Sequence, residues 1–264
     1  DFTSEGPKPA LDWLEKSVAK KYEITVSPRP GPGPTDAKEG TCLNRVIRWC
    51  DGHIEYEADP RQAEKLSAGC GLEGAKSAEG VQEDLGVKSS FHELEEDKPL
   101  ASGRHTAFRG SAARGNYLAA DRPDAQFACK EVCRWMSSPS EQAWTALNRV
   151  VRFLGSAPRL VYTYPQQTVE GIDAYTDTDW AGCARTRKST SGGCVLLGRH
   201  AIKHGSSTQS SVALSPGEAE FAGVNRGAGE GLGYQALLQD LGVKAHLRVW
   251  TDSSAAIGIR TRQG

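Results

Sequence analysis

A mixed α/β fold is predicted for this chain, on three observations. From Leu160 onward, short extended runs alternate with turn signals. A helix opens at "SPGEAEF" with strong capping chemistry, and a last period-2 strand, "HLRVWTDSSAAIGI", runs into another capped helix. The resulting order, β-β-β-α-β-α, is that of a mixed α/β unit. Helical and hairpin patterning precedes it, so two domains are expected, 1–158 and 159–264. The 264 residues allow each to bury a core.

Taken in order, "ALDWLEKSVAKKY" (10–22) places Leu11, Leu14 and Val18 at helical spacing against a Lys-rich face, and "EITV" then turns extended. "SPRPGPGPTD" breaks regular structure. "CLNRVIRWCDGHIEYEA" is two β-like runs about Asp51-Gly52, a hairpin signal. "DPRQAEKLSAGCGL" is a short helix with Asp59 as N-cap and Pro60 in its first turn. Between about 73 and 100 the chain is acidic and aperiodic, the mark of a linker or long loop.

Helical pattern returns over "GSAARGNYLAADRPDAQFACKEVCRWMSSPSEQAWTALNRVVRFLGS". Ala128, Val132, Trp135 and Met136 share one face, and Trp144, Leu147, Val151 and Leu154 another, with Ser140 as the cap of the second helix. Two packed helices account for this pattern, with the Trp residues in the core. "LVYTYP" and "GIDAYTDTDW" follow as strands, and "GGCVLLGRHAIKH" as a hairpin whose Gly198-Arg199 suits a type II′ turn. Ser215, Pro216 and Glu218 compose a capping box. After the last strand, which ends at Asp252, Ser253 or Ser254 caps the closing helix.

Charge is balanced, 32 basic against 33 acidic residues, so no global field draws the protein to nucleic acid or an anionic membrane; a polyanion would need local patches. No apolar run approaches the ~20 residues that span a bilayer, and "DFTSEGPKPA" lacks the features of a signal peptide. A soluble, intracellular protein is expected, with the cytoplasm as its compartment and no membrane partner. The seven cysteines are scattered and complete no zinc set in the sequence pattern, which fits buried thiols in a reducing compartment.

Three acids stand at element ends: Asp177 on the first long strand, Glu220 in the first turns of the capped helix, and Asp252 after a later strand. In an open α/β sheet such ends gather at one edge, where ligands bind. Clustered carboxylates repel unless cations neutralise them, and all-oxygen ligands favour Mg²⁺ or Mn²⁺ over zinc. Two such ions ~4 Å apart activate water and stabilise a leaving oxygen in phosphodiester cleavage. Asp179 is a surface charge or a supporting residue. The cations that follow, Arg185, Arg187 and Lys188, suit either a solvated loop or a phosphate-contacting one.

In this order, "YTDTDWAG", "RKSTSGG", "SSTQSSVALSPGEAEFAG" and "VWTDSSAA" resemble the ribonuclease H domain of copia-type LTR retrotransposon polyproteins. "FRGSAARGNYLAADRPDAQFA" with "ALNRVVRFLGSAPRLVYTYP" resembles the segment joining reverse transcriptase to that domain, and the opening residues resemble the end of the polymerase palm. The resemblance covers nearly the whole chain. It implies a ribonuclease H-like mixed sheet with flanking helices (159–264, incomplete at its C-terminus), preceded by an α+β reverse-transcriptase tail and connection segment (1–158). It also implies metal-dependent hydrolysis of the RNA strand of an RNA·DNA hybrid. The ligands of two Mg²⁺ or Mn²⁺ ions would be Asp177, Glu220 and Asp252. Lys188, Ser189, Thr190 and Ser191 would lie along the hybrid backbone, with Gln209 a candidate for minor-groove contact. The partners would be the hybrid and the remainder of the polyprotein.

Departures from the family pattern are specific. A fourth acid, expected in a segment after the third, is absent before the chain stops at Gly264. Gly205 stands where the family usually has tryptophan, and Pro216 where serine is common. Six glycines from Gly217 to Gly233 each weaken an exposed helix interior by roughly 1 kcal/mol. Asp1 matches the last aspartate of a reverse-transcriptase turn without the other parts of a polymerase. A competing reading is therefore a catalytically decayed or host-retained fragment that at most binds nucleic acid. A helical domain fused to an unrelated α/β module explains none of the ordered motifs.

Overall fold

The computed structural model describes residues 3–75 and 97–262. Asp1, most of the acidic stretch between 73 and 100, and Gly264 lie outside the described residues. The fold is mixed α/β, with two four-stranded sheets and several helices, and divides into two compact units interleaved in sequence.

The first unit comprises 1–60 and 159–166. Helix α1 (Lys8–Ala19) starts after Pro7 and is tied to the following segment by Arg29, whose guanidinium donates to Asp12 (2.6 Å) and Glu15 (2.5 Å). "EITV" forms no strand, because no neighbouring strand takes up its backbone groups. The antiparallel sheet runs β1 (Glu39–Cys42), β2 (Arg45–Cys50), β3 (His53–Glu57) and β4 (Val161–Pro165) in that order. The β2–β3 hairpin turns at Asp51-Gly52 as expected, with Gly52 at φ +73°. Strand alternation gives this sheet two unlike faces. Register places Ile47, Trp49, Ile54, Tyr56, Tyr162 and Tyr164 on one, and Arg48, Cys50, His53, Glu55 and Glu57 on the other. On the polar face Glu57 is buried between Arg48 (2.7 Å) and Arg159 (2.9 Å from Nη2).

The second unit comprises 61–158 and 167–264. Its helices are α2 (Arg61–Cys70), α3 (His105–Ala119), α4 (Pro123–Cys133) and α5 (Glu141–Ser156). The stretch expected to give two helices gives three. The extra break falls at Asp121-Arg122, where Pro123 cannot continue a helix but can begin one. Arg122 is buried there, donating to Asp124 (2.7 Å) and to the Ala157 carbonyl (2.8 Å). Trp135 and Met136 fall just past the end of α4, so they do not extend its buried face. Trp135 and Trp144 are half-buried beneath the guanidinium groups of Arg185 and Arg104 rather than in the core. The core is Leu66, Phe108, Leu118, Val132, Leu147 and Leu154, and Ser140 caps α5 by accepting from the Ala143 N–H (3.1 Å).

Strands β5 (Gly171–Thr178), β6 (Thr190–Leu197), β7 (His200–Thr208) and β8 (His246–Trp250) form a sheet ordered β7-β6-β5-β8, antiparallel except for β5 with β8. Gly198 has a positive φ and Arg199 does not, the φ pattern of a type II′ turn. Between β7 and β8 runs α6 (Pro216–Asp240), and α7 (Ser254–Thr261) follows, capped by Ser253. Ser215 accepts from the Glu218 N–H (3.2 Å), and Glu218 accepts in return from Leu214 (2.7 Å), so the box closes one residue earlier than in its usual form.

Glycine in α6 has a packing reason. Gly223, Gly227 and Gly231 are buried at four-residue spacing. A Cβ at Gly227 would stand 2.3 Å from the Thr176 methyl, and one at Gly223 2.4 Å from Thr178 Oγ1. The helix backbone thus lies directly on β5, beside a core of Ile172, Ala174 and Val195. No helix among the described residues is long and apolar enough to cross a membrane.

Gly227→Ala is expected to destabilise the protein by about 1–3 kcal/mol through overpacking, despite a helix-propensity gain of roughly 1 kcal/mol. Gly229→Ala and Gly233→Ala, with nothing within 4 Å of a new Cβ, should stabilise by about 0.5–1 kcal/mol. Urea midpoints of the three variants decide; an equal gain in all of them rules out the close-approach account.

Glu57 titrates below the ordinary carboxylate range, chiefly through its hydrogen bonds to Arg159 and, against burial, to Arg48. The unfolded chain therefore binds the proton first. The contribution is whole above the ordinary glutamate pKa of ~4.3 and is lost as pH falls through the lower folded value. Glu57→Gln should cost about 1–2 kcal/mol at pH 7, with the gap to the parent closing in acid. Denaturation followed by circular dichroism across pH 3–7 measures this, and a gap independent of pH refutes it.

Candidate active site

Parallel pairing of β5 with β8 builds the site. Register sets Asp173 beside Arg248 and Tyr175 beside Trp250, so Asp177 and Asp252, each two residues further on, emerge together. Glu220 comes from the second turn of α6. Carboxylate oxygens of Asp177, Glu220 and Asp252 lie within 4.8 Å of one another. The structure thus brings together the three acids singled out from the sequence, across long chain separations.

The two aspartates are exposed and Glu220 is half-buried. Glu220 Oε2 is buried with no hydrogen-bond partner. Burial pushes the Glu220 carboxyl above its ordinary range, and Asp177 and Asp252 push it further, against a backbone hydrogen bond from Thr178. An orphaned oxygen in a cluster of all-oxygen donors fits a hard divalent cation, which would satisfy that oxygen and offset the repulsion. Beside the acids opens a groove of about 460 Å³, lined by Tyr175, Asp177, Gly193, Trp250 and Asp252 among others.

A ladder of side chains on the sheet face bearing Tyr175 fixes β8 against β5. Arg248 grips Asp173 through two nitrogens (2.7 and 2.8 Å), and the Trp250 indole N–H donates to the same carboxylate (2.7 Å). Tyr175 and Trp250 stack with centroids 6.0 Å apart and planes 11° from parallel. From the other face Thr176 Oγ1 donates to the Trp250 carbonyl (3.2 Å). Sequence reasoning missed this ladder. Its signal was present as paired alternation, Asp173-Tyr175-Asp177 against Arg248-Trp250-Asp252, but only the parallel register gives that alternation meaning.

The residues expected along a nucleic-acid backbone sit differently from the acids. Ser189, Thr190 and Ser191 are buried. The Ser189 hydroxyl accepts from the Ala181 N–H (3.0 Å), the Thr190 hydroxyl from Lys130 Nζ (2.9 Å) and the Ser191 hydroxyl from Gln209 Nε2 (2.9 Å). Gln209 Nε2 also donates to the Ala219 carbonyl (2.8 Å), which ties the end of β7 to the turn of α6 that carries Glu220. Lys188 is half-buried, while Arg185 and Arg187 are exposed, with Arg185 over Trp135 at 4.8 Å. Asp179 does not join the acid cluster. Its carboxylate accepts from the Thr190 N–H, and its own N–H donates to the Thr190 carbonyl (3.1 Å), closing the loop between β5 and β6.

Fold and site together define a mixed α/β protein with three converging carboxylates. Over about half its length the chain is similar to retrovirus-related Pol polyproteins from transposons RE2 and RE1 of Arabidopsis thaliana. Each is 34% identical over 139 residues, which are 53% of this chain and 10% of each polyprotein. It is also 32% identical over 109 residues to secreted RxLR effector protein 161 of Plasmopara viticola, covering 41% of this chain and 77% of that protein. The chain belongs to the family of that Plasmopara viticola protein, most of whose length it covers, and is a homologue of plant-transposon Pol polyproteins. It spans only a tenth of the length of the polyproteins it matches. No family model and no solved structure matches it.

Asp177→Asn removes one of three mutually repelling charges and should stabilise the metal-free protein on the order of 1 kcal/mol at pH 7. Millimolar Mg²⁺ or Mn²⁺ should raise the melting temperature of the parent and leave Asp177→Asn unmoved. A cation response retained by the variant would show that the ions bind elsewhere.

Proposed function

We propose that this chain is part of a copia-type retrotransposon polyprotein carrying a ribonuclease H-like domain. In this reading it hydrolyses the RNA strand of an RNA·DNA hybrid. The observation that carries the proposal is the meeting of Asp177, Glu220 and Asp252 at the C-terminal ends of two parallel strands and the start of α6. The homologous Pol polyproteins support the retrotransposon origin.

Asp177, Glu220 and Asp252 would hold two Mg²⁺ or Mn²⁺ ions, which when bound supply water activation and neutralise charge at the scissile phosphate. The residues around them position the acids. Gln209 holds the first turns of α6 against the end of β7, and Asp179 closes the adjoining loop. Arg185, Arg187 and Lys188 stand on the loop that enters β6, whose first residues pair with the end of β5 beside Asp177. They can meet phosphate charge there without reading sequence. Ser189, Thr190 and Ser191 act through that loop, since their hydroxyls are engaged inside the protein. The glycines of α6 weigh less toward a decayed element once Gly223, Gly227 and Gly231 serve close packing.

A labelled RNA·DNA hybrid incubated with the purified chain and Mg²⁺ or Mn²⁺ tests the proposal. Expected is cleavage of the RNA strand that chelation abolishes and that falls by at least a hundredfold in Asp177→Asn. No cleavage by the parent, or equal cleavage by the variant, would favour a fragment that at most binds nucleic acid.

A further inference from the structure

A second cluster of donor atoms lies in the first unit, at the tip of the β2–β3 hairpin. Cys50 and His53 are the facing residues that close the two-residue turn, and Glu55 follows His53 by two positions on the same face. One donor atom from each lies within 4.8 Å of the others, and all three residues are half-buried.

The imidazole is oriented for a ligand. Its Nδ1 lies 3.1 Å from the carbonyl of Asp51, an acceptor, so Nδ1 is the donor there, and the neutral ring with that tautomer carries its lone pair on Nε2. That Nε2 lies 3.7 Å from Glu55 Oε1. A backbone carbonyl that fixes the tautomer in this way is the usual outer support of a metal-bound histidine. Arg48 is held at 2.7 Å by Glu57 and 2.8 Å by Glu39, and stands 3.7 Å from Glu55 Oε2. Glu55 therefore keeps its other oxygen for a ligand.

We propose that Cys50, His53 and Glu55 form a binding site for a borderline transition-metal ion of the Zn²⁺ type, separate from the carboxylate cluster. Thiolate, imidazole and carboxylate together select zinc-like ions, whereas three carboxylates select Mg²⁺ or Mn²⁺. Zinc-to-ligand distances of about 2.0–2.3 Å draw donors to roughly 3.5 Å of one another, which side-chain rotation from the observed spacing provides. Three protein ligands leave one position to water. An ion here staples the turn between two strands and adds its binding free energy to the hairpin's stability.

Cobalt(II) titration of the whole purified chain is the test, because thiolate ligation has its own absorption signature. One equivalent of Co²⁺ should give a near-ultraviolet thiolate-to-cobalt charge-transfer band with the visible bands of four-coordinate geometry, both displaced by Zn²⁺. Cys50→Ser should abolish the charge-transfer band, and His53→Ala should weaken binding at least tenfold. Cys42→Ser and Asp177→Asn should leave the spectrum intact, which separates this site from the acids. No band in the parent, or a band surviving in Cys50→Ser, overturns the proposal. Circular dichroism of each variant checks that loss of the band is not loss of the fold.

Discussion

The approach of α6 to β5 is the constraint on which the rest of the second unit depends. A helix normally stands off a sheet by the length of its side chains, but Gly223, Gly227 and Gly231 remove them along one line. The backbone then rests on Thr176 and Thr178, one helical turn from Glu220. A larger residue at any of these points would lift the helix and carry the Glu220 carboxylate away from Asp177 and Asp252. Helix propensity runs against these glycines, by roughly 1 kcal/mol each, and packing against the sheet overrides it.

Strand β5 and the loop after it show how the same side-chain type takes different roles by surroundings. Asp173 is neutralised by Arg248 and the Trp250 indole, which holds its carboxyl below the ordinary range and locks β8 in register. Asp179 is consumed by the Thr190 backbone. Asp177, lying between them, faces two other carboxylates. Burial first, and the two neighbouring carboxylates after it, make Glu220 keep its proton to higher pH in the folded chain, so ionising it costs folding stability as pH rises. Such a cost is characteristic of binding sites.

Much of this was legible in the primary structure. Capping at Ser140, Ser215 and Ser253, the hairpins at Asp51-Gly52 and Gly198-Arg199, and the three acids at element ends all rest on local chemistry: a hydroxyl beside an orphan N–H, a glycine at positive φ, a strand ending at a carboxylate. What misled was local too. The periodicity through Trp135 and Met136 continued past the end of α4, and the break at Asp121-Arg122, signalled by Pro123, was passed over because apolar helical spacing runs on both sides of it. "EITV" had strand composition without a partner strand.

By itself, then, the sequence determined the order and type of most elements, the caps that begin them and the acids that end them, because those depend on neighbours within a few residues. Only the tertiary structure decided which partners meet. It sent β4 to the first sheet and paired β5 in parallel with β8, and it turned Ser189, Thr190 and Ser191 inward. Register and close approach are relations between segments far apart in the chain, and no local pattern encodes them.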